Sequence, residues 1–268
     1  MTPAAASRSP APTGYVGFTA GDVAVVVAAH AEADLRALFA SGSGAVTLHD
    51  WASRQPAATA MQGRAVAWGT RLPASGLEVV VRHAMHGGLL ASLTGDRFLR
   101  PGRAPYELEV SQRLRAAGVP TPRLVAHCTY PAGPFFCRSD VATERLPVGD
   151  DLPALWSSAD TMARAALLAA TATLLRALAH CGARHEDLNA KNVYLARAGD
   201  TFTAFALDVD RVRFQRAAGA RVAERNFARL ARSLTKLRVQ RGMAITDAEI
   251  AALARDAGVP GVLMGAAA

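Results

Sequence analysis

Lysine is nearly absent from this 268-residue chain: Lys191 and Lys236 are the only two among 30 basic side chains. Any chemistry that needs a lysine amine before residue 191 is therefore excluded. Cysteine is also scarce, with Cys128, Cys137 and Cys181 odd in number and scattered, so no disulfide framework is expected. Aromatic residues make up 6% of the chain, and only Phe214 and Phe227 interleave its most basic segment, which argues against nucleic-acid binding. The most apolar run, residues 165–175, is bounded by Arg164 and Arg176 and falls short of the roughly 18 to 20 residues that span a bilayer. The small, Pro-rich N-terminus lacks the apolar core of a secretory signal. These absences lead to the expectation of a cytoplasmic protein with reduced thiols and no integral membrane segment.

What is present is enough apolar material, 51% of residues, for one sizeable core or two small lobes. Disorder, collagen and coiled coil are excluded. The net charge is +8, and its distribution is uneven. Between Asp210 and Arg241 nine arginines and Lys236 face two acids, Asp210 and Glu224, so this segment alone equals the charge of the whole chain. Such a concentration suggests an anionic partner or a solvated arginine face.

Periodicity and punctuation outline the organisation. Residues 1–14 are expected to be a disordered tail. A short apolar run at 23–29 and a helix at 31–40 precede a Gly/Ser break at 41–44. Two strand-like runs at 65–68 and 77–81 flank a turn at 73–76. A helix at 106–117 ends at Gly118, and a buried strand is expected at 141–145. A long helix at 159–181 stops at Gly182. Two short strands at 193–196 and 202–207 follow, and then helices at 221–240 and 247–257, the last with a capping box at Thr246 and Glu249. On the first of these final helices Arg221, Arg225, Arg229, Arg232 and Lys236 recur at three- or four-residue steps, leaving Val222, Leu230, Leu234 and Leu237 to pack inward. This stripe is expected to recruit an anionic acceptor.

The chemistry is concentrated in His185-Glu-Asp187-Leu-Asn-Ala-Lys-Asn192, with Asp208 following at the end of a strand-like run. The spacing H-x-D-x-x-x-x-N and then Asp is what phosphoryl transfer requires. A hydroxyl nucleophile needs a carboxylate, Asp187, to orient it and accept its proton. Magnesium ions on the phosphates of ATP need an amide oxygen, Asn192, and a second carboxylate, Asp208. His185 reads as a buttress of the loop with no reacting role.

These residues, taken with Gly63-Arg64, Val81-Arg82-His83, Gly87-Gly88-Leu89, residues 103–107, Gly118-Val-Pro-Thr-Pro122, Thr143-Glu144-Arg145 and Asp208-Val-Asp210-Arg211, resemble in order the lipopolysaccharide-core (Kdo) kinase family. The likeness runs from about Gly63 to Arg241. It implies an α+β, protein-kinase-like two-lobed fold with a small β-rich N-lobe (15–145) and an abbreviated helical C-lobe (146–268). It also implies ATP with Mg2+ as phosphate donor. The implied acceptor is an anionic glycolipid, a Kdo-bearing lipid A precursor at the inner face of the cytoplasmic membrane. By the same resemblance Arg82 stands where protein kinases place the phosphate-holding lysine, Glu107 is its helix partner, Glu144 to Leu146 would contact adenine, and Gly63 belongs to the phosphate loop.

The chain departs from protein kinases in several places. The glycine-rich loop shrinks to Gly63-Arg64-Ala65, the Asp-Phe-Gly triplet is Asp208-Val209-Asp210, Glu186 replaces an arginine, and no Ala-Pro-Glu follows. The peptide-docking half is missing, which favours a small or lipid-borne acceptor. Two alternatives share the skeleton: a small-molecule kinase of the aminoglycoside or choline type, and a weak pseudokinase that binds anionic lipid.

Overall fold

The computed structural model describes residues 11–40, 47–61, 66–85, 95–99, 104–199, 201–216 and 218–259. The chain divides into two compact units, one of Met1–Glu109 with Leu124–Arg145 and the other of Val110–Arg123 with Leu146–Ala268. The class is α+β, as expected.

The first unit opens with β1 (Tyr15–Ala20), β2 (Val23–Ala28), α1 (Glu32–Ala40) and α2 (Leu48–Ser53). Next come β3 (Thr59–Met61), β4 (Ala67–Arg71), β5 (Glu78–His83), β6 (Phe98–Leu99) and α3 (Ala104–Ala116), whose residues from Val110 on belong to the second unit, then β7 (Leu124–Pro131) and β8 (Phe136–Glu144). The strands form an eight-stranded sheet in the order β1-β2-β7-β8-β5-β4-β3, with β6 paired to β8. Every pairing is antiparallel. Within the stretch expected to be a loose tail, residues 12 and 14 are tied to the fold: the Tyr15 N–H bonds the Pro12 carbonyl and the Ala29 N–H bonds that of Gly14.

The two-residue strand period sends alternate side chains to opposite faces. On β5, Val79 and Val81 go to one face, where they are fully buried with Val25, Val27, Leu35, Leu48 and Trp51 beneath α1 and α2. Each such valine contributes about 1.5 to 3 kcal/mol on burial. Arg82 takes the other face. Its register partner on β8 is Val141, which packs with Ala104 and Leu108 of α3, so Arg82 emerges beneath that helix. The turn joining β4 to β5 is held from α1, where the buried Asp34 carboxylate accepts from the N–H groups of Ala74 (2.6 Å) and Ser75 (3.1 Å).

The second unit continues with β9 (Gly149–Asp151), α4 (Leu152–Ser158), α5 (Thr161–His180), β10 (Ala183–His185), β11 (Val193–Ala198), β12 (Thr201–Ala206), β13 (Val212–Phe214), α6 (Ala220–Arg241) and α7 (Asp247–Asp256). Its strands form two small antiparallel sheets, β12-β11-β9 and β10-β13. The helix expected at 159–181 begins at Thr161, because the Asp160 carboxylate caps it through the Ala163 N–H. It stops before Gly182, whose φ of 70° lies in the left-handed region, where a Cβ would also meet the Gln215 carbonyl at 2.8 Å. By length and composition α5 is apolar enough to cross a membrane, contrary to the reading of its sequence. It is the core helix of this unit: Leu167, Leu174, Leu175 and Leu178 are buried, and it packs on β12, α6 and α7. The capping box of α7 forms as expected.

Candidate active site

The loop from His185 to Asn192 is held by bonds that leave its carboxylate uncommitted. His185 is fully buried. Its Nε2 lies 2.9 Å from the Leu207 carbonyl and its Nδ1 lies 3.2 Å from the Asp187 N–H. The network therefore assigns the proton to Nε2, which donates, while Nδ1 accepts. Burial pushes the imidazole below its ordinary range, with the Leu207 bond and nearby aspartates acting against it. A neutral ring is what this acceptor and donor pair needs, so His185 is the buttress its sequence suggested.

Beyond Asp187 the chain turns on Asn189, whose side-chain oxygen accepts from the N–H groups of Lys191 (3.0 Å) and Asn192 (3.2 Å). That turn brings Asn192 back, so that its amide nitrogen donates to the Asp187 carbonyl at 2.8 Å. With the nitrogen committed, the carbonyl end of the same side chain is the part left for a ligand. The backbone carbonyl of Asn192 in turn accepts from the Leu207 N–H at 2.9 Å, and the backbone carbonyl of Arg211 accepts from the Glu186 N–H at 2.9 Å. The segments bearing Asp187, Asn192 and Asp208 are thus stitched together. Asp208 is the only non-glycine with positive φ among the described residues, at φ 52° and ψ 48°. Such a backbone costs energy and persists where its surroundings demand it, commonly at functional sites. Its carboxylate caps no hydrogen bond of the turn that follows.

Two polar residues on α6 support the loop, and sequence reasoning did not identify either. Asn226 is fully buried. Its Oδ1 accepts from the His185 N–H (3.0 Å) and its Nδ2 donates to the Ala183 carbonyl (2.9 Å). Ser233 accepts from the Ala190 N–H at 3.0 Å. A signal was available: Val222, Asn226, Leu230 and Leu234 stand four residues apart, and an asparagine in an otherwise apolar row has to be bonded.

A cleft of about 700 Å3 opens beside Asp187 and is lined by Lys191 and, from α6, by Arg229, Arg232, Lys236 and Arg241. Of the expected stripe, Arg221 and Arg225 are not among its walls. Val222, Leu230 and Leu234 are buried and Leu237 is half-buried, as the helical period requires.

In the first unit Arg82 and Glu107 form an ion pair, Glu107 being buried and Arg82 about one-third exposed at 32%. Glu144 ends β8, and Leu146 is the first residue of the segment assigned to the second unit. Gly63, and with it the reduced glycine loop, lies outside the described residues. No group of three or more His, Cys, Asp or Glu side chains that could hold a metal occurs among the described residues. A magnesium ion on nucleotide phosphates needs fewer protein ligands, because phosphate and water oxygens complete its octahedron, and one amide oxygen with one carboxylate suits it.

The profile of the lipopolysaccharide kinase (Kdo/WaaP) family matches residues 49–256. A 3-deoxy-D-manno-octulosonic acid kinase of Xanthomonas euvesicatoria is 32% identical over 197 residues, 72% of this chain and 75% of that protein. Proteins of the same name from Photobacterium damsela and Vibrio vulnificus are each 28% identical, covering 74% and 76% of this chain and 80% and 84% of their own lengths. Among solved structures, one described as WaaP in complex with acyl carrier protein is 19% identical with a TM-score of 0.49, over 75% of this chain and 78% of that one.

Proposed function

This chain belongs to the lipopolysaccharide kinase (Kdo/WaaP) family, and from that membership we propose that it transfers the γ-phosphoryl group of ATP to a hydroxyl of the Kdo sugar on a lipid A precursor. It is an ATP-using phosphotransferase acting on a lipopolysaccharide core sugar, with the protein-kinase-like α+β fold. The finer reading assigns the roles of individual residues.

The observation that carries it is the Asn192 side-chain bond to the Asp187 carbonyl. It turns one side chain's oxygen and the other's carboxylate to different tasks within a single loop. Asp187 is the base. Its carboxylate orients the acceptor hydroxyl and takes its proton as the hydroxyl oxygen bonds to the γ-phosphorus. The bond from that phosphorus to the β,γ-bridging oxygen breaks, and ADP leaves. Asn192 and Asp208 would hold Mg2+, which when bound neutralises charge on the phosphates. In the other unit Arg82, fixed by Glu107, contacts phosphate oxygens with its guanidinium fork. The resemblance assigns Gly63 to the phosphate loop and the Glu144–Leu146 backbone to adenine. A lipid-borne acceptor makes the enzyme peripheral to the cytoplasmic face of the inner membrane, with the arginine-rich helix drawn to anionic headgroups.

Phosphate transfer from γ-labelled ATP tests the reading, with Kdo-bearing lipid A precursor, free Kdo and an aminoglycoside compared. Label should enter the lipid A precursor. Label in the aminoglycoside alone would overturn the assignment of acceptor.

A further inference from the structure

The cations of α6 fall into two sets. Arg221 and Arg225, on its first turns, are exposed and away from the cleft, whereas Arg229, Arg232 and Lys236 line it together with Lys191 and Asp187. Other basic side chains of this unit have oxygen partners: Arg238 bonds the Asp247 carboxylate at 2.6 Å, Arg164 the Ala244 carbonyl at 3.2 Å, and Arg176 the Asp256 carbonyl. Among the described residues no carboxylate forms an ion pair with Lys191, Arg229, Arg232 or Lys236. The acids nearby are Asp187 itself and Asp151, which feels the charges of Lys191 and Arg241 at longer range. Several like charges gathered in one concavity repel one another, and an anionic ligand relieves that repulsion. A volume of about 700 Å3 is within the range of small-ligand sites and accommodates a sugar with its charged substituent. Because the Ser233 hydroxyl is bonded to the Ala190 N–H, the helix bearing these cations is fixed to the loop bearing Asp187.

We propose that this cleft is the specificity pocket for the acceptor, in which Arg229, Arg232 and Lys236 bind a carboxylate or phosphate on the molecule whose hydroxyl lies at Asp187. The inference rests on the reading of Asp187 as the base. An acidic sugar is drawn in, a neutral one is held weakly, and a polycationic aminoglycoside is repelled. The pocket thereby decides among acceptors that the shared catalytic skeleton leaves open.

The test compares the triple variant Arg229→Gln/Arg232→Gln/Lys236→Gln with the double variant Arg221→Gln/Arg225→Gln, using the full chain. Acceptors are the Kdo-bearing lipid A precursor, its carboxyl-reduced form and its dephosphorylated form. The triple variant should raise KM for the parent acceptor by roughly tenfold or more, as loss of charged hydrogen bonds implies, and change KM for ATP less than about twofold. The double variant, whose residues lie outside the cleft, should leave KM for ATP unchanged and raise KM for the parent acceptor far less than the triple variant does. In the native protein the derivative lacking the recognised anion should bind more weakly, and the triple variant should not distinguish that derivative from the parent. Calorimetric binding of each acceptor without ATP reads the pocket apart from turnover. Arg232→Gln alone, at an exposed position, serves if the triple variant does not fold. Equal effects of the triple and double variants, or binding of all three acceptors by the triple variant as by the native protein, would overturn the pocket. Turnover that survives Asp187→Asn would instead overturn the functional reading beneath it.

Discussion

Asn192 donates its side-chain N–H to the backbone carbonyl of Asp187 at 2.8 Å, although the two residues lie on opposite sides of a tight turn. The bond divides the Asn192 amide: its nitrogen is spent on geometry, which leaves its oxygen for a ligand. Substitutions at Asp187 and at the metal positions should accordingly fail in different ways.

Asp187→Asn preserves shape and removes the base. Turnover should fall about 10²- to 10⁴-fold, the usual contribution of proton acceptance, with the affinity for nucleotide nearly unchanged. Asp208→Asn should weaken nucleotide binding in the presence of Mg2+ and leave binding without it unaltered. Equilibrium titrations of the two variants with and without the ion separate these outcomes.

Arg82 and Glu107 should behave as a unit in the first lobe. Arg82→Ala should raise KM for ATP or lower turnover by more than tenfold, on the order of one lost charge-assisted contact, while acceptor binding stays as it was. Arg82→Lys keeps the charge and loses the planar fork, so partial activity is expected. Steady-state kinetics with each substrate varied in turn provides the check, and native-like ATP parameters in Arg82→Ala would move the phosphate contact elsewhere.

Asn226→Leu fills similar volume but leaves the His185 N–H and the Ala183 carbonyl buried without partners. The cost should be about 2 to 4 kcal/mol, one to two unsatisfied groups' worth, read as a lower midpoint in urea at unchanged slope. An Asn226→Leu protein as stable as the native one would remove this residue from the support of the loop.

A pH effect on stability arises in the first unit. The His83 Nδ1 lies 2.5 Å from a carboxylate oxygen of the fully buried Asp140, and its Nε2 lies 3.2 Å from Asp96. The Asp140 bond raises the imidazole above its ordinary range, burial works against it, and Asp96 adds to the rise. A raised folded-state value means that the extra stability is complete below the unfolded histidine's pKa, about 6.5, and is lost as pH climbs through the folded one. The difference in melting temperature between the native protein and His83→Asn should therefore be largest near pH 5.5 and shrink toward pH 8. A constant difference across that range would show that no proton is taken up at His83 on folding.

Features governed by local chemistry were the ones legible in the sequence. The β4–β5 turn, the Gly182 stop, the Thr246–Glu249 box and the H-x-D-x-x-x-x-N loop each depend on residues a few positions apart. The central strand β7 was not anticipated, because one of its flanking partners, β2, lies far upstream in the sequence and polar His127 and Thr129 interrupt its apolar pattern. The six-residue α2, capped by Thr47, is too short to show a helical period. At the site, the spacing pointed to the loop itself, whose ends the structure brings together through the Asn192 bond to Asp187. Its support by Asn226 and Ser233 went unread even though Asn226 stands in an apolar row, because that support comes from a helix more than thirty residues downstream and nothing in the sequence names the partner of a buried amide.

The clamp residues Asn226 and Ser233 and the cleft cations Arg229, Arg232 and Lys236 all belong to α6. A helix rises about 1.5 Å per residue and bends little over two turns, so on the proposed roles this one acts as a ruler: the separation between Asp187 and the cations that would hold the acid is set by counting residues along a rod. An acceptor is then selected by the span between its charge and its hydroxyl as well as by the charge itself. Moving a cation one turn along α6 would shift that span by about 5 Å and with it the hydroxyl presented to Asp187, which makes regiochemistry a property of helical register.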